Sequence, residues 1–265
     1  ALSSFGYGFD ALSNRNSLTQ TRAALAVAPS LSFVYDAIDQ VTSATHPLPA
    51  NPVETFDYDA VGNRLLRDGE VTQSVFDAAN RLTEDETFLY AYDANGNLET
   101  KTDKFTSAVT TYSYDAENRL VLIDFPDLTT ASYRYDGMAR RIEKDVSGVI
   151  TRYIYDREDI LLEYDGANVL LARYTHGPGI DEPLVMERDL DASGAFEAAE
   201  RFFYHADGLG SVTELTDSAG VVARAYAYDS YGQIVDEVGT LANPFTYTAR
   251  AFDAESGLYF YWARY

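Results

Sequence analysis

The acidic stretch 189–200 has the residue types and the spacing of a calcium-binding loop. In such loops, oxygen ligands stand at the first, third, fifth, seventh, ninth and twelfth positions, and a glycine at the sixth permits a sharp bend. Gly194 stands at that sixth position. The candidate ligands are Asp189, Asp191, Ser193, the backbone carbonyl of Ala195, Glu197 and Glu200. The pattern predicts a structural Ca²⁺ site. Ser193 departs from the usual motif, which has aspartate or asparagine at the fifth position.

The sequence on both sides of this stretch differs from that of a helix-loop-helix calcium site. Residues 183–186 (Pro-Leu-Val-Met) and 201–204 (Arg-Phe-Phe-Tyr) have the composition of strands. A calcium ion here would connect two strands and offset the repulsion among the carboxylates. The alternative interpretation of the same residues is a Ser-Gly hairpin turn with acidic neighbours.

Other side chains capable of catalysis do not form a recognised constellation. His205, Asp207 and Ser211 supply the three groups of a hydrolase triad, but they fall within one short strand and turn and are too close in sequence to converge. The three histidines of the chain are scattered and do not predict a zinc site. The many aspartates that recur along the chain are interpreted as turn formers, because their carboxylates accept hydrogen bonds from nearby backbone amides.

The recurring aspartates belong to a repeat whose clearest copy is the segment 90–98, Tyr-Ala-Tyr-Asp-Ala-Asn-Gly-Asn-Leu. Two aromatic residues separated by one residue lie on the same face of a strand, and the aspartate begins a turn. Asn95 and Gly96 are expected to supply the positive φ angles of a tight reversal, after which Leu98 starts the returning strand. One copy therefore predicts one β-hairpin. The aromatic-aspartate pairs that mark the copies are Phe9-Asp10, Tyr35-Asp36, Tyr58-Asp59, Phe76-Asp77, Tyr92-Asp93, Tyr114-Asp115, Tyr135-Asp136, Tyr155-Asp156, Tyr228-Asp229 and Phe252-Asp253.

The spacing and the composition of the repeat predict an all-β protein. Copies lie about 16 to 26 residues apart, which suits a strand-turn-strand unit and is too short for a βαβ unit. The 21 tyrosines and 14 phenylalanines favour strands. Because one hairpin cannot bury its own aromatic face, neighbouring copies are expected to stack into a continuous antiparallel sheet that coils. The residues expected to share one buried or cavity-facing row are Tyr90, Tyr92, Tyr112, Tyr114, Tyr133 and Tyr135.

The charge of the chain argues against two classes of partner. The formal net charge of −22 disfavours nucleic acid and anionic membranes, which are bound through basic surfaces. No apolar run approaches the roughly 18 residues that a membrane span requires, and the first residues do not have the pattern of a signal peptide. With no cysteine, disulfide bonds and thiolate chemistry are excluded.

The repeats and the closing segment resemble the Rhs/YD-repeat family, large bacterial proteins related to the C subunits of insecticidal toxin complexes and to the teneurin barrel. Residues 112–120 (Tyr-Ser-Tyr-Asp-Ala-Glu-Asn-Arg-Leu) are similar to a typical repeat of that family, and residues 204–211 (Tyr-His-Ala-Asp-Gly-Leu-Gly-Ser) are more specific. The most specific segment is 244–265, from Pro-Phe-Thr-Tyr to Trp-Ala-Arg-Tyr, which is similar to the start of the Rhs-associated core. The pattern begins and ends inside repeats, so a piece of a longer protein is expected.

The resemblance implies a hollow β-shell that encloses a C-terminal toxin. In many members the core also carries an aspartyl self-cleavage activity, but the matching aspartates would lie beyond Tyr265, so no catalytic residue is assigned here. Arg250 and Asp253 match motif positions and are interpreted as forming an ion pair or a turn. Residues 1–173 are interpreted as the YD-repeat array, and residues 174–265 as irregular repeats with the start of the core module.

The sequence therefore predicts a non-enzymatic shell segment of an Rhs-type protein that is secreted or at the cell surface. The expected fold is a spiralling antiparallel sheet forming part of a hollow shell or barrel, and the expected partner is the protein's own C-terminal effector or the remainder of a longer chain. Assembly with other copies or with secretion-system components stays open. Two alternatives remain: an adhesion or carbohydrate-binding module, because rows of tyrosine can stack on sugars, and part of a self-cleaving core.

Overall fold

The computed structural model describes residues 3–48 and 53–261. The predicted all-β class is confirmed: within these ranges the regular elements are β-strands and two short 3₁₀ turns, Ala198–Glu200 and Tyr247–Ala249. Over the same ranges, no helix has the length and apolarity needed to cross a membrane. The last four residues of the closing motif, 262–265, lie outside the described residues.

The strands follow one another with short connections. The first twelve are β1 (Ser4–Phe9), β2 (Arg15–Thr21), β3 (Ser30–Tyr35), β4 (Val41–Ala44), β5 (Glu54–Tyr58), β6 (Arg64–Arg67), β7 (Val75–Phe76), β8 (Leu82–Glu84), β9 (Phe88–Tyr92), β10 (Leu98–Asp103), β11 (Val109–Tyr114) and β12 (Leu120–Asp124). The remaining strands are β13 (Thr130–Tyr135), β14 (Arg141–Val146), β15 (Val149–Asp156), β16 (Asp159–Asp165), β17 (Leu170–His176), β18 (Pro183–Arg188), β19 (Arg201–Ala206), β20 (Val212–Thr216), β21 (Val222–Tyr228), β22 (Ile234–Val238), β23 (Ala251–Asp253) and β24 (Leu258–Phe260).

The chain forms two compact units. The first consists of the described residues within Ala1–Ala91, Thr102–Ser107 and Ala225–Val238, and the second of those within Tyr92–Lys101, Ala108–Arg224 and Gly239–Tyr265. In the first unit, β1 to β6 form a six-stranded sheet in chain order. In the second unit, β11 to β20 are successive antiparallel neighbours. The predicted boundary between the repeat array and the C-terminal module, after residue 173, falls inside β17. It marks a change of sequence pattern, and as a domain boundary it stays a prediction.

The repeat aspartates form turns by accepting backbone hydrogen bonds, as predicted. In the hairpin β11–β12, Asp115 Oδ1 accepts from the amides of Glu117 at 2.9 Å and Arg119 at 3.0 Å. Asp93 does the same with Asn95 and Asn97 at 2.8 and 2.9 Å. The other repeat aspartates with this pair of bonds are Asp10, Asp36, Asp59, Asp77, Asp136 and Asp229.

The turn geometry differs from the predicted one in a single respect. Of Asn95 and Gly96, only Gly96 has a positive φ, 88°, and in the equivalent turn that position is Asn118 with a φ of 60°. The strand register shifts at Ser113/Tyr114 beside that turn. One residue with positive φ next to a register shift is the three-residue hairpin loop with a G1-type bulge, which needs one left-handed residue where a two-residue type I′ turn needs two.

Two marked aspartates do not form this turn. Asp156 pairs across β15–β16 with Asp159 in a shorter reversal, and Arg157 between them has a φ of 54°. Asp253 directs its carboxylate into a buried cluster of charges instead. An aromatic residue followed by aspartate therefore does not by itself determine whether the aspartate accepts the hydrogen bonds of a turn.

Several of the tyrosines that precede a repeat aspartate join their hairpin to the previous one by a hydrogen bond. Tyr135 Oη donates to the carbonyl of Leu120 at 2.7 Å, at the start of the preceding return strand. Equivalent bonds join Tyr35 to Arg15, Tyr58 to Val41 and Tyr155 to Arg141, at 2.8, 2.7 and 2.8 Å. The guanidinium of Arg119 also lies 5.2 Å from the centre of the Tyr135 ring. These contacts hold neighbouring hairpins together, as the predicted stacking of hairpins requires.

Four of the six tyrosines of the predicted aromatic row share one cluster in the second unit, and Tyr92 is not among them. Tyr112 and Tyr133 are buried in one cluster with Ile123, and Tyr114 and Tyr135 pack against that cluster. Tyr90 is different: it lies in the first unit, is half-buried, and donates to Asp85 Oδ2 at 2.6 Å.

Candidate functional site

The predicted calcium loop connects β18 to β19, so strands flank it as expected. Its first half is folded around Asp189, whose two carboxylate oxygens accept from the amides of Ser193 at 3.1 Å and Gly194 at 2.8 Å. Asp191 Oδ1 also accepts from the amide of Ser193, at 3.0 Å. Gly194 has a φ of 78°, the left-handed conformation that the sixth position of such a loop requires.

Three of the predicted ligands converge. Carboxylate oxygens of Asp189, Asp191 and Glu200 all lie within 4.8 Å of one another. Asp191 is exposed and Asp189 half-buried, whereas Glu200 is only 6% exposed. Three carboxylates on one side of a loop are a ligand set suited to a hard divalent cation such as Ca²⁺.

Glu200 is held in place from both ends of its carboxylate. Oε1 accepts from the amide of Leu190 at 2.6 Å, and Oε2 accepts from the amide of Glu197 at 3.2 Å. The bond from the Leu190 amide is the main cause that lowers the pKa of Glu200. A carboxylate fixed in its ionised form is ready to bind a cation without rearrangement.

Glu197 is not one of the three carboxylates that converge. The exposed Glu197 hydrogen-bonds to Glu200 through its side chain, and this bond raises the pKa of Glu197. Ser193 Oγ accepts from the amide of Ala195 at 3.2 Å. Of the four predicted carboxylate ligands, the structure thus brings together Asp189, Asp191 and Glu200.

The loop is attached to the neighbouring strands by charge and by an aromatic ring. Phe196 lies over the guanidinium of Arg173, 4.7 Å from ring centre to Cζ. Arg173 and Arg201 both pair with Glu187 of β18, and these two hydrogen-bonding partners lower the pKa of Glu187. Phe196, the apolar residue at the eighth position of the loop, therefore contacts the guanidinium of Arg173 on strand β17.

A second constellation lies where the C-terminal residues of the second unit cover the aromatic row. Phe245 packs edge-on against Tyr174, with ring centres 5.3 Å apart, and against Tyr204 at 6.1 Å. Phe260 packs against Tyr135 at 6.2 Å. The aromatic face of this unit is therefore covered by the segment that contains the most specific family motif.

Charged residues beneath that segment form a buried cluster. Asp253 and Arg141 are paired and are 1% and 2% exposed, and Lys144 Nζ lies 2.8 Å from Asp253 Oδ1 and 3.2 Å from Glu255. Burial alone would raise the pKa of Asp253, but the charges of Arg141 and Lys144 hold it below its ordinary value. The cluster binds the segment 251–255 to strand β14.

Arg250 and Asp253 both form ion pairs, but each pairs with a different residue and not with the other. Arg250 Nη2 pairs with Asp181 at 2.8 Å, whereas Asp253 pairs with Arg141. The carbonyl of Asp253 also accepts from the amide of Gly257 at 2.8 Å, in the turn before β24.

Sequence reasoning did not identify Arg141, although the repeat alignment contains a signal for it. Other copies place leucine where the return strand starts, as in Leu98 and Leu120, and this copy places arginine there. An arginine at an inward-facing position requires a buried acidic partner, because an unpaired buried charge is very costly.

The residues that suggested a hydrolase triad have other partners. His205 Nε2 lies 2.9 Å from Thr216 Oγ1, and Ser211 Oγ accepts from the amide of Thr248 at 3.1 Å. Asp207 Oδ1 accepts from the amides of its own turn. These bonds do not form a relay from carboxylate through imidazole to hydroxyl.

Comparison with curated proteins finds relatives that are much longer than this chain. The tRNA3(Ser)-specific nuclease WapA of Bacillus spizizenii is 32% identical over 246 residues, which is 87% of this chain and 10% of the relative. The double-stranded DNA deaminase toxin A of Burkholderia cenocepacia is 30% identical over 250 residues, 86% of this chain and 17% of the relative. The chain thus spans less than a fifth of either protein.

Comparison with solved structures finds the same fold. The crystal structure of TcdB2-TccC3-TEV superposes with a TM-score of 0.71 and 19% identity over 98% of this chain and 15% of that one. The resemblance to Rhs/YD-repeat toxin proteins that the repeats suggested is therefore confirmed. The model of the teneurin YD-shell family matches residues 7–264, and the chain belongs to that family.

Proposed function

We propose that this chain is a structural segment of a hollow β-shell in a longer toxin-type protein, and that the shell encloses a C-terminal effector. The observation that carries the proposal is the aromatic face of the second unit, which the C-terminal segment covers through Phe245 and Phe260. Membership of the YD-shell family and the toxin or nuclease names of long relatives support it. The role proposed for the chain is enclosure, and the longer protein would act in a secreted or cell-surface setting.

The buried tyrosines favour a shell over a carbohydrate-binding surface. Tyr133, Tyr153 and Tyr174 are 3%, 5% and 5% exposed. A ring that stacks on a sugar must present one open face to solvent, which these rings do not. Their burial is the arrangement expected where a sheet encloses its aromatic side.

Enclosure predicts that the effector segment of the longer protein resists limited proteolysis while the shell is folded. The measurement compares the cleavage rate of the effector within the longer protein with that of the same effector expressed alone. We expect cleavage to be slowed by at least about tenfold, because a protease reaches an enclosed chain only through opening of the shell. Equal cleavage rates in the two settings would contradict enclosure.

We also propose that the loop 189–200 binds Ca²⁺ as a structural ion. The specific support is the convergence of Asp189, Asp191 and Glu200 within 4.8 Å on a loop with the calcium-loop spacing. A bound cation would offset the repulsion among these carboxylates and fix the connection between β18 and β19.

Titration of calcium into chelator-treated protein, followed by calorimetry, tests the site. Glu200→Gln is expected to weaken binding by about tenfold or more, because it removes a charged ligand. Glu117→Gln, at a side chain that is 70% exposed in another turn, is the control and should bind like the wild type. Glu197→Gln should also bind nearly normally, since the structure leaves this residue outside the group of three. An absence of binding heat at millimolar calcium would rule out the site.

A further inference from the structure

A second buried cluster of charges lies within the first unit and has an excess of acid. The carboxylates of Glu54 and Asp229 both reach the guanidinium of Arg67: Nη2 lies 3.4 Å from Glu54 Oε1 and 2.5 Å from Asp229 Oδ2. Both carboxylate side chains are 0% exposed. Ser230 Oγ donates to Glu54 Oε2 at 2.5 Å. We call Glu54, Arg67, Asp229 and Ser230 the charge clasp.

The charge clasp contains two carboxylates, those of Glu54 and Asp229, and one guanidinium, that of Arg67. Arg67 is itself shared with the partly exposed Asp68, whose Oδ2 lies 2.9 Å from Nε. Asp229 Oδ1 is occupied by the amides of Tyr231 and Gln233 in its own turn. His46, which is 5% exposed, is a further titratable group near Glu54, and its charge acts to lower the pKa of Glu54, against the stronger effect of burial. One guanidinium therefore faces two buried carboxylates.

Glu54 is the member of the charge clasp that is best placed to take up a proton. Its burial raises its pKa, the hydrogen bond from Ser230 lowers it, and the nearby Asp229 raises it again, with a net rise above the ordinary value. Asp229 makes the shorter contact to Arg67 and also accepts hydrogen bonds from two turn amides, whereas Glu54 lies 3.4 Å from the guanidinium. Protonation of Glu54 leaves one carboxylate for one guanidinium.

The charge clasp joins parts of the first unit that are far apart in sequence. Glu54 and Ser230 are separated by 176 positions. Beside them, Tyr231 packs against Phe56 with ring centres 5.0 Å apart, and its hydroxyl lies 2.7 Å from that of Tyr58. The turn between β21 and β22 is thus attached to β5 through this cluster and its aromatic neighbours.

We propose that the charge clasp is a proton-operated lock, which is tightened when Glu54 takes up a proton and loosened when that proton is lost. The direction of the pH dependence follows because the folded state binds this proton more tightly than the unfolded chain does. Stability of the first unit then rises as the pH falls through the folded pKa of Glu54 towards its unfolded value, and declines as the pH rises. Below about pH 4, the turn aspartates with lowered pKa values, such as Asp59 and Asp77, act in the opposite direction.

The test is thermal unfolding of the whole chain at about pH 5 and about pH 8. We expect the wild type to melt on the order of 2 to 4 °C higher at the lower pH, and Glu54→Gln, which imitates the protonated side chain, to lose that difference. Asp57→Asn, at an exposed position on the same strand β5, is the matched control and should keep it. The protection factors of the amides of Tyr231 and Gln233, which are exchange rates relative to the intrinsic rate at each pH, should rise at the lower pH in the wild type only.

One result would overturn the proposal: Glu54→Gln retains the full difference in melting temperature between the two pH values. The substitution would then cost the same stability at both pH values, as for an ordinary ion pair. If Glu54→Gln fails to fold, carbon-13 titration of the Glu54 carboxyl in the wild type decides. A midpoint at or below the ordinary glutamate value would contradict the lock, and a midpoint above it would support the lock.

Discussion

Replacement of Asp253 by alanine is expected to destabilise the second unit by about 3 to 5 kcal/mol. The carboxylate is 1% exposed and pairs with Arg141, which is 2% exposed. Its removal leaves a buried guanidinium without its anion and Lys144 with Glu255 as its remaining partner in the cluster. Urea denaturation followed by near-ultraviolet circular dichroism measures the loss, because the covered tyrosines lie in this unit.

The matched control for Asp253→Ala is Arg134→Ala, which removes a pair from the surface of the same sheet. Arg134 is 77% exposed and lies 3.4 Å from Glu143. Exposed pairs contribute about 0 to 1 kcal/mol, so this variant should unfold nearly like the wild type. Joint replacement of the buried pair by Arg141→Met and Asp253→Leu should recover most of the stability, since the cost lies in the unpaired charge. A loss below about 1 kcal/mol in Asp253→Ala would show that the cluster does not hold the C-terminal segment.

Removal of a ring from the buried row should have an effect of similar size. Tyr133 is 3% exposed and packs in one cluster with Tyr112, Leu120 and Ile123. Tyr133→Ala is expected to cost about 3 to 5 kcal/mol, because the surrounding strands cannot close the resulting cavity. Tyr133→Phe keeps the ring and should cost much less, and thermal unfolding of the two variants compares them directly.

Phe105→Ala controls for the loss of an aromatic ring as such. Phe105 is 78% exposed, so its removal should change stability by no more than about 0.5 kcal/mol. Equal effects of Tyr133→Ala and Phe105→Ala would mean that the row is not a packed core. The proposed enclosure would then lose its main structural support.

The hairpins were predictable because their determinants are local. A pair of aromatic residues two positions apart fixes the buried face, and an aspartate five residues before the start of the return strand fixes the turn, as Asp115 does with the amide of Arg119. The type of the loop was harder to predict, since Asn95-Gly96 is compatible with both a two-residue turn and a bulged one. Which of these forms depends on the register of the strands, which a short motif does not contain.

The partners of the buried charges were not predictable in this way. Asp253 and Arg141 are 112 positions apart, and Glu54 and Ser230 are 176 apart. No rule of spacing links such residues, because their contact depends on how many hairpins lie between them. In the acidic loop, by contrast, all the candidate ligands are within twelve positions. Its spacing identified Asp189, Asp191 and Glu200 correctly as neighbours but could not show that Glu197 would bond to Glu200 instead.

The bonds from Tyr35 and Tyr135 to the preceding hairpins have a consequence for the order in which this segment folds. The carbonyls of Arg15 and Leu120 that accept these bonds are made earlier on the ribosome than the tyrosines that need them. Because the strands of β1–β6 and of β11–β20 pair with their neighbours in the chain, a new hairpin can add to one that is already in place. These hairpins can therefore form in chain order as the segment is synthesised. The buried charged clusters form later than the strands that they join, since Ser230 emerges 176 positions after Glu54, and Asp253 emerges 112 positions after Arg141.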